Sequence, residues 1–360
     1  MFSAIFRPVD WFLVIPVIIL LFLSQVTLFT IDPLLFRSQF IFTLLASLVF
    51  LFCCSIDIRM LAELKIPIYL ISISLLLFLL LIGLESHGAV RWLDILGFHI
   101  QFSEIFKPFL CIGLAAFLSE RSDRSLKTFL TICVLLLPLV LIIDKQPDLG
   151  TAMIYALTTF LALLFAGFPL WWFALGLLVS FGSVPVLWQF LHEYQRQRLL
   201  TFLHMSNDPL GTSYNAIQAV IAVGSGMFFG KGFGQGTQSA LRFLPERQTD
   251  FIFATIGEDL GFTGAILLIG VFLFLLYRFY MIYQESDDTF SKLFVATAFS
   301  LLLIQFFVNV GMNIGVMPVV GVALPFVSYG GSSLIANAIL LGFVSAIGSR
   351  VRKKHVLEIG

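Results

Sequence analysis

LRFLPERQTDFIFATIGEDLGF, residues 241–262, is where the chain changes character. Arg242, Glu246, Arg247 and Asp250 fall within nine positions, and an apolar run starts directly after Asp250 with Phe251-Ile-Phe. Ionisable side chains are costly at the edge of an apolar span, so such a cluster marks both a membrane rim and a candidate functional site. Glu258 and Asp259 fall further along the same run, where they read as structural or supporting groups. Outward from here almost everything is Leu, Ile, Phe and Val. Of 360 residues, 59% are hydrophobic and 12% charged, and the mean hydropathy is +1.02. Soluble domains carry about 25% charged residues, so this composition specifies a polytopic membrane protein.

The balance of 21 basic and 21 acidic residues points to no nucleic-acid partner. Cys53, Cys54, Cys111 and Cys133 lie in apolar runs without zinc-ligand spacing, where Cys acts as a small hydrophobe. The histidines are scattered, so no metal cluster is expected. The first apolar run has no A-x-A cleavage site and reads as a retained span.

A span needs about 20 mostly apolar residues. That rule gives ten transmembrane helices, at about 11–30, 37–56, 66–84, 101–118, 128–143, 149–166, 169–190, 255–283, 290–315 and 328–349. The expected fold is therefore an all-α membrane protein forming a single domain over residues 1–360. Lys and Arg gather in one set of loops, including Arg59, Lys65, Arg121, Arg124, Lys127, Arg278, Lys292 and the tail from Arg350. By the positive-inside rule that set and both termini are cytoplasmic. Segments 85–100, 144–148, 191–254 and 316–327 then face outward. The long outer loop at about 191–254, between helices 7 and 8, contains a helix-like piece from Tyr214 to Val223 and is expected to fold back over the membrane surface.

Several constellations could carry chemistry. The glycine run at 224–236, with Lys231 inside it, lacks the spacing of a nucleotide-binding P-loop. It reads as a flexible turn or as a close backbone approach to a phosphorylated or sugar ligand. Arg91 and Trp92 are either an interfacial anchor or an arginine facing a substrate anion. Glu104 and Lys107 are spaced i,i+3 on the fourth span and share a helix face, as a structural ion pair or as the lining of a polar cavity. In Gln146-Pro-Asp148, the acid can cap the sixth span or hold Lys107. Ser328, Ser332 and Ser333 flank Gly330-Gly331 at a helix start, where they can cap it or where amides can meet an anion. Asp250 itself is either an N-cap, a role Thr249 could equally take, or a reactive carboxylate at the membrane edge.

Taken in order, these motifs resemble the SEDS family (shape, elongation, division and sporulation proteins). The matching pieces are Gly88-Ala-Val-Arg-Trp92, Gln101 to Lys107, Gln146-Pro-Asp-Leu-Gly-Thr151, Leu244-Pro-Glu-Arg-Gln-Thr-Asp-Phe-Ile-Phe-Ala254, Gly257-Glu-Asp-Leu-Gly261 and Leu324-Pro-Phe-Val-Ser-Tyr-Gly-Gly-Ser-Ser333. Gly236-Thr-Gln-Ser and Met312-Asn-Ile-Gly-Val-Met-Pro318 are more similar to the RodA (elongation) branch than to the FtsW (division) branch. Two departures stand out. Phe102 stands where the family commonly has Pro, and Pro108 follows Lys107 where the family has Leu. Pro108 is expected to bend the fourth span.

The resemblance implies a peptidoglycan glycosyltransferase of the bacterial cytoplasmic membrane. It would polymerise lipid II at the outer face, beside a class B penicillin-binding protein and other elongation-complex membrane proteins. By the same resemblance Asp250 is the essential aspartate, Arg91 the motif arginine, and Glu104, Lys107 and Asp148 a buried network. Such chemistry needs one base and a cationic surround. Asp250 fits the base, alone or as a metal ligand as well. Arg91, Lys107, Lys231, Arg242 and Arg247 are candidates to meet the diphosphate. Gln146, Glu246, Thr249, Ser328 and Ser332 support the site. A divalent cation such as Mg2+ on the diphosphate is compatible with this set, and no organic cofactor is expected. The rival readings are a lipid II flippase, a non-catalytic scaffold and a division-type paralogue. Asp250 at the rim, not mid-span, favours surface chemistry over transport.

Overall fold

A lipid bilayer offers no partner to a backbone N–H or C=O, so a spanning chain satisfies those groups within helices. The computed structural model follows that demand. It describes residues 9–82, 84–86, 89–95, 98–121, 123–191, 193–203 and 214–359. The chain opens with α1 (Trp11–Ile31), α2 (Pro33–Ser55), a short α3 (Ile58–Glu63) and α4 (Lys65–Ile82). Asp10 and Asp32 each accept a backbone N–H at the start of α1 and α2, so both helices are capped by carboxylates.

The 85–100 segment, expected as an outward-facing loop, instead contains a small antiparallel sheet. It comprises β1 (Leu84–Ser86), β2 (Ala89–Ile95) and β3 (Phe98–Ile100), in that order. Leu84 stands opposite Trp92, and Leu93 opposite Ile100. The remaining elements are helical: α5 (Phe102–Ile105), α6 (Lys107–Ser119), α7 (Leu126–Lys145), α8 (Leu149–Phe165), α9 (Leu170–Phe190), α10 (Glu193–Leu203), α11 (Tyr214–Ser225), α12 (Thr237–Ala240), α13 (Ile252–Glu285), α14 (Thr289–Asn313) and α15 (Gly331–Ile359).

Among the described residues, seven helices are long and apolar enough to cross a membrane, with α5 and α6 taken as one. Three shorter apolar helices, α4, α8 and α9, lie where the third, sixth and seventh spans are expected. The break between α5 and α6 at Phe106 follows from Pro108, which has no N–H to donate to the Glu104 carbonyl. This is the bend expected of the fourth span. In α13 a second break occurs at Gly261 (φ 66°, ψ −160°), in the third turn of this 34-residue element counted from the end next to Asp250.

The centre of the bundle is α14, which packs against α13, α6 and α8. It is buried along most of its length, and Phe306 stacks on Phe272 of α13 with centroids 4.3 Å apart. Peripheral helices instead expose large apolar side chains, such as Phe22, Phe52 and Phe181. In hydrocarbon these are solvated by acyl chains and need no partner. At one end of the bundle charged pairs tie elements together. Arg278 of α13 bonds the buried Asp10 through Nε (3.0 Å) and Nη2 (2.6 Å). Arg59 reaches Asp288 at 2.9 Å, and Arg350 reaches Asp57 at 3.0 Å.

Candidate active site

At the other end lies the 241–251 segment. Its backbone doubles back tightly: Arg242 and Glu246 adopt left-handed conformations (φ 62° and 49°). The Glu246 carbonyl accepts the amides of Thr249 and Phe251. Left-handed backbone at non-glycine residues costs about 1–3 kcal/mol each and persists only where the surroundings enforce it. Those surroundings are a small core of Ala219, Ala222, Leu244, Phe251 and Ala254. The N-cap position of α13 is Phe251, which offers no side-chain cap. Asp250 and Thr249 therefore do not occupy the capping position. Asp250 is half-buried, and the Thr249 hydroxyl donates to the Glu246 carbonyl and carboxylate.

Beneath Asp250 runs the segment between α14 and α15. A Cβ placed on Gly321 would lie 3.3 Å from Asp250 Oδ2, so the carboxylate rests over a glycine. Gly321 has φ +73°, a conformation glycine adopts without strain. Further along, Ser328 donates to the Thr249 carbonyl (2.6 Å) and Tyr329 N–H to the Gln248 carbonyl (2.9 Å). Ser24 donates to the Val327 carbonyl, and Gln39 clasps Ser328 O and Gly330 N. The serine motif thus braces the Asp250 loop from below.

The same segment connects to the second charged cluster. The Val320 carbonyl presses on Gly150, leaving no room there for a Cβ. Gly150 follows Asp148, which caps α8 through the Thr151 amide (3.1 Å) and accepts Gln101 Nε2 (2.7 Å). The Gln101 amide donates to Ser332 Oγ at 3.0 Å, and Tyr155 OH donates to the Ser103 carbonyl at 2.8 Å. One turn on, Lys107 and Glu104 form a buried ion pair of 2.5 Å with side chains 3% and 11% exposed. Glu104 Oε2 is buried without a hydrogen-bond partner. Gln146 donates to the Leu76 carbonyl at 2.9 Å, away from this network.

The glycine run approaches backbone closely, but the backbone is the protein's own. Residues 226–232 strap across the Gly261 break. Lys231 and Gly232 donate to the carbonyls of Glu258 and Asp259, while Phe262 and Thr263 donate to those of Met227 and Phe228. The polar groups that the break frees are thereby satisfied. Glu258 has a fully buried side chain. It accepts the amides of Gln238 and Ser239 at the start of α12, both at 2.9 Å, and pairs with Lys231 at 3.1 Å.

The model of the FtsW, RodA and SpoVE group, described as "Cell cycle protein", matches residues 3–353. The chain belongs to that family. It is 42% identical over 284 residues to "Peptidoglycan glycosyltransferase MrdB" of Escherichia coli (strain K12), covering 78% of this chain and 76% of the relative. It is 36% identical over 304 residues to "Probable peptidoglycan glycosyltransferase FtsW" of Idiomarina loihiensis, covering 80% and 74%. Among solved structures, a chain from "Structural coordination of polymerization and crosslinking by a peptidoglycan synthase complex" superposes with a TM-score of 0.84 at 30% identity, covering 95% of this chain and 98% of that one. The Thermus thermophilus rod shape determining protein RodA superposes with a TM-score of 0.72 at 29% identity, covering 94% and 96%.

The family motifs fall on two connected clusters. Asp250, Glu246, Arg247, Thr249 and Ser328 belong to the first; Glu104, Lys107, Asp148 and Ser332 to the second. Arg247 is buried. Burial first, and then the neighbouring Arg242, hold its guanidinium below its ordinary pKa, while Asp32 works in the opposite sense. Arg242 is exposed. Arg91 lies in β2, and its side chain is outside the described part of the structure. Among the described residues, no group of three or more His, Cys, Asp or Glu side chains is gathered to hold a metal ion. Sequence reasoning passed over Gln101 as a ligand of Asp148, and over Asn309 and Asn313. The Asn pair carries a detectable signal: two primary amides spaced i,i+4 near the end of a mostly apolar span.

Proposed function

We propose that the chain polymerises lipid II into peptidoglycan glycan strands at the outer face of the cytoplasmic membrane, in cell elongation and shape maintenance. Membership of the family and 42% identity to a peptidoglycan glycosyltransferase support the activity. The observation that carries the site is the bracing of the Asp250 loop: Ser328, Tyr329 and the Gly321 floor hold one half-buried carboxylate at a span rim.

The chemistry asks for little else. An acceptor sugar hydroxyl attacks the anomeric carbon of the donor sugar, and its proton passes to the Asp250 carboxylate. The bond from that carbon to the diphosphate oxygen breaks, and the electron pair leaves with the diphosphate. Arg242 and Arg247, flanking Asp250 in sequence, meet the departing charge, with Arg91 on β2 as a further donor. Lys231 is held by Glu258, and Lys107 by Glu104, so these two act by fixing the loop and the fourth span. A divalent cation would ride on the diphosphate with Asp250 as its carboxylate ligand. A class B penicillin-binding protein is the partner that cross-links the product, a role consistent with the neighbour described as a peptidoglycan synthase complex.

Purified protein in detergent, given lipid II, should yield polymeric glycan. Asp250→Ala should lower the rate by about 10²- to 10⁴-fold, the usual contribution of a positioned base, with an unchanged melting temperature. Detergent abolishes the two-sided membrane, so a flippase or scaffold would make no polymer. Absence of product from the wild type, or near-normal product from Asp250→Ala, would overturn the respective assignment.

A further inference from the structure

Asn309 and Asn313 sit one turn apart near the end of α14, both fully buried. An unsatisfied primary amide there is costly, and every hydrogen of this pair has an acceptor. Asn309 Nδ2 donates to the Asp250 carbonyl (3.0 Å) and to the Val322 carbonyl (2.7 Å). Asn313 Nδ2 donates to the same Asp250 carbonyl (3.0 Å) and to the Asn309 carbonyl (2.8 Å). Its Oδ1 accepts the Ala254 amide at 3.0 Å, in the first turn of α13 that Phe251 leaves uncapped. Two amides from one helix thus fill both lone pairs of the Asp250 carbonyl. They also tether Val322, next to the Gly321 floor under the carboxylate, and cap the helix that starts beside it. Other buried polar side chains of α14 do not tie down the Asp250 loop: Thr297 and Ser300 donate to carbonyls one turn back on their own helix, and the Gln305 amide has no hydrogen-bond partner among the described residues.

We infer that Asn309 and Asn313 are positioning residues that fix the Asp250 carboxylate relative to its floor. The inference rests on the reading of Asp250 as the base. Each Asn acts through the Asp250 backbone and not on substrate, so its loss misplaces the base without weakening the binding of the lipid-linked donor. A misplacement of about 1 Å can cost about 10²-fold in rate.

The test uses purified full-length Asn309→Ala and Asn313→Ala with lipid II in detergent. Initial rates are taken against substrate concentration and pH, and the folded fraction is checked by circular dichroism. Each variant should lose at least about tenfold in kcat with KM changed less than about threefold, and should keep the wild-type pH limb at lower height. Thr297→Val, which removes one buried hydroxyl from the same helix, should keep kcat. Wild-type kcat in either folded Asn variant, or an equal loss in Thr297→Val, overturns the inference. Should an alanine variant not fold, Asn309→Ser carries the same measurement, and wild-type kcat there overturns it equally. Asp250→Asn is run alongside. If it polymerises, the base reading fails and the inference falls with it. If it is inactive while the Asn variants match the wild type, the base reading stands and the positioning role alone fails.

Discussion

Removing one member of a buried ion pair costs more than the pair contributes, because the survivor is left charged and unpaired, at about 3–5 kcal/mol. The Lys107–Glu104 pair meets the conditions, with both side chains buried and Glu104 Oε2 already without a partner. Lys107→Met should therefore lower the melting temperature strongly, and Lys107→Met with Glu104→Gln should recover most of the loss. A single variant as stable as the wild type would show that water reaches the pair and that it is not buried. At this scale the sequence is legible where residues are charged. Glu104, Lys107, Asp148 and Asp250 stand out because charges are rare in an apolar chain. Asn309 and Asn313 are fainter: their i,i+4 spacing marks them as a pair, but an uncharged amide in a span does not say what it bonds. Their meaning depends on which carbonyl lies opposite, and that carbonyl is 59 or 63 residues away.

Between elements, the strap over the Gly261 break makes a sharper demand on glycine than a flexible turn would. Gly230 has φ +81°, and a Cβ there would strike the Asp259 carbonyl. Gly230→Ala should lower the melting temperature by several degrees, from about 1–2 kcal/mol for the left-handed alanine plus displacement of the strap. Gly224→Ala, inside α11 with open space around it, should leave stability unchanged or raise it by up to about 1 kcal/mol. Equal responses at the two positions would mean the strap is not seated on α13. The apolar runs were readable as helices because hydrophobic length alone specifies a span, and Pro108 announced the break at Phe106. The break at Gly261 and the sheet over β1–β3 were not. A glycine in an apolar helix is tolerated without a kink, and strands of 3, 7 and 3 residues are too short for their periodicity to stand out.

For the whole molecule, the decisive quantity is which side of the membrane carries the Asp250 loop. The bracing around Asp250 and the ion pairs joining Asp10 to Arg278, Arg59 to Asp288 and Arg350 to Asp57 involve opposite ends of α1, α13, α14 and α15. Fixing the side of one end therefore fixes the other. The Lys and Arg bias assigns the ion-paired end to the cytoplasm, which would put Asp250 where an exported lipid-linked sugar lies. Leu241→Cys, exposed on the loop, and Thr289→Cys, exposed at the start of α14, report the two ends. Cys53, Cys54 and Cys111 are buried and Cys133 is half-buried, so background labelling should be low. In intact spheroplasts a membrane-impermeant maleimide should label Leu241→Cys fully and Thr289→Cys only after permeabilisation. The opposite pattern would place Asp250 in the cytoplasm, where its carboxylate could not act on glycan growing outside, and polymerisation at the outer face would then be untenable whatever the purified protein makes in detergent.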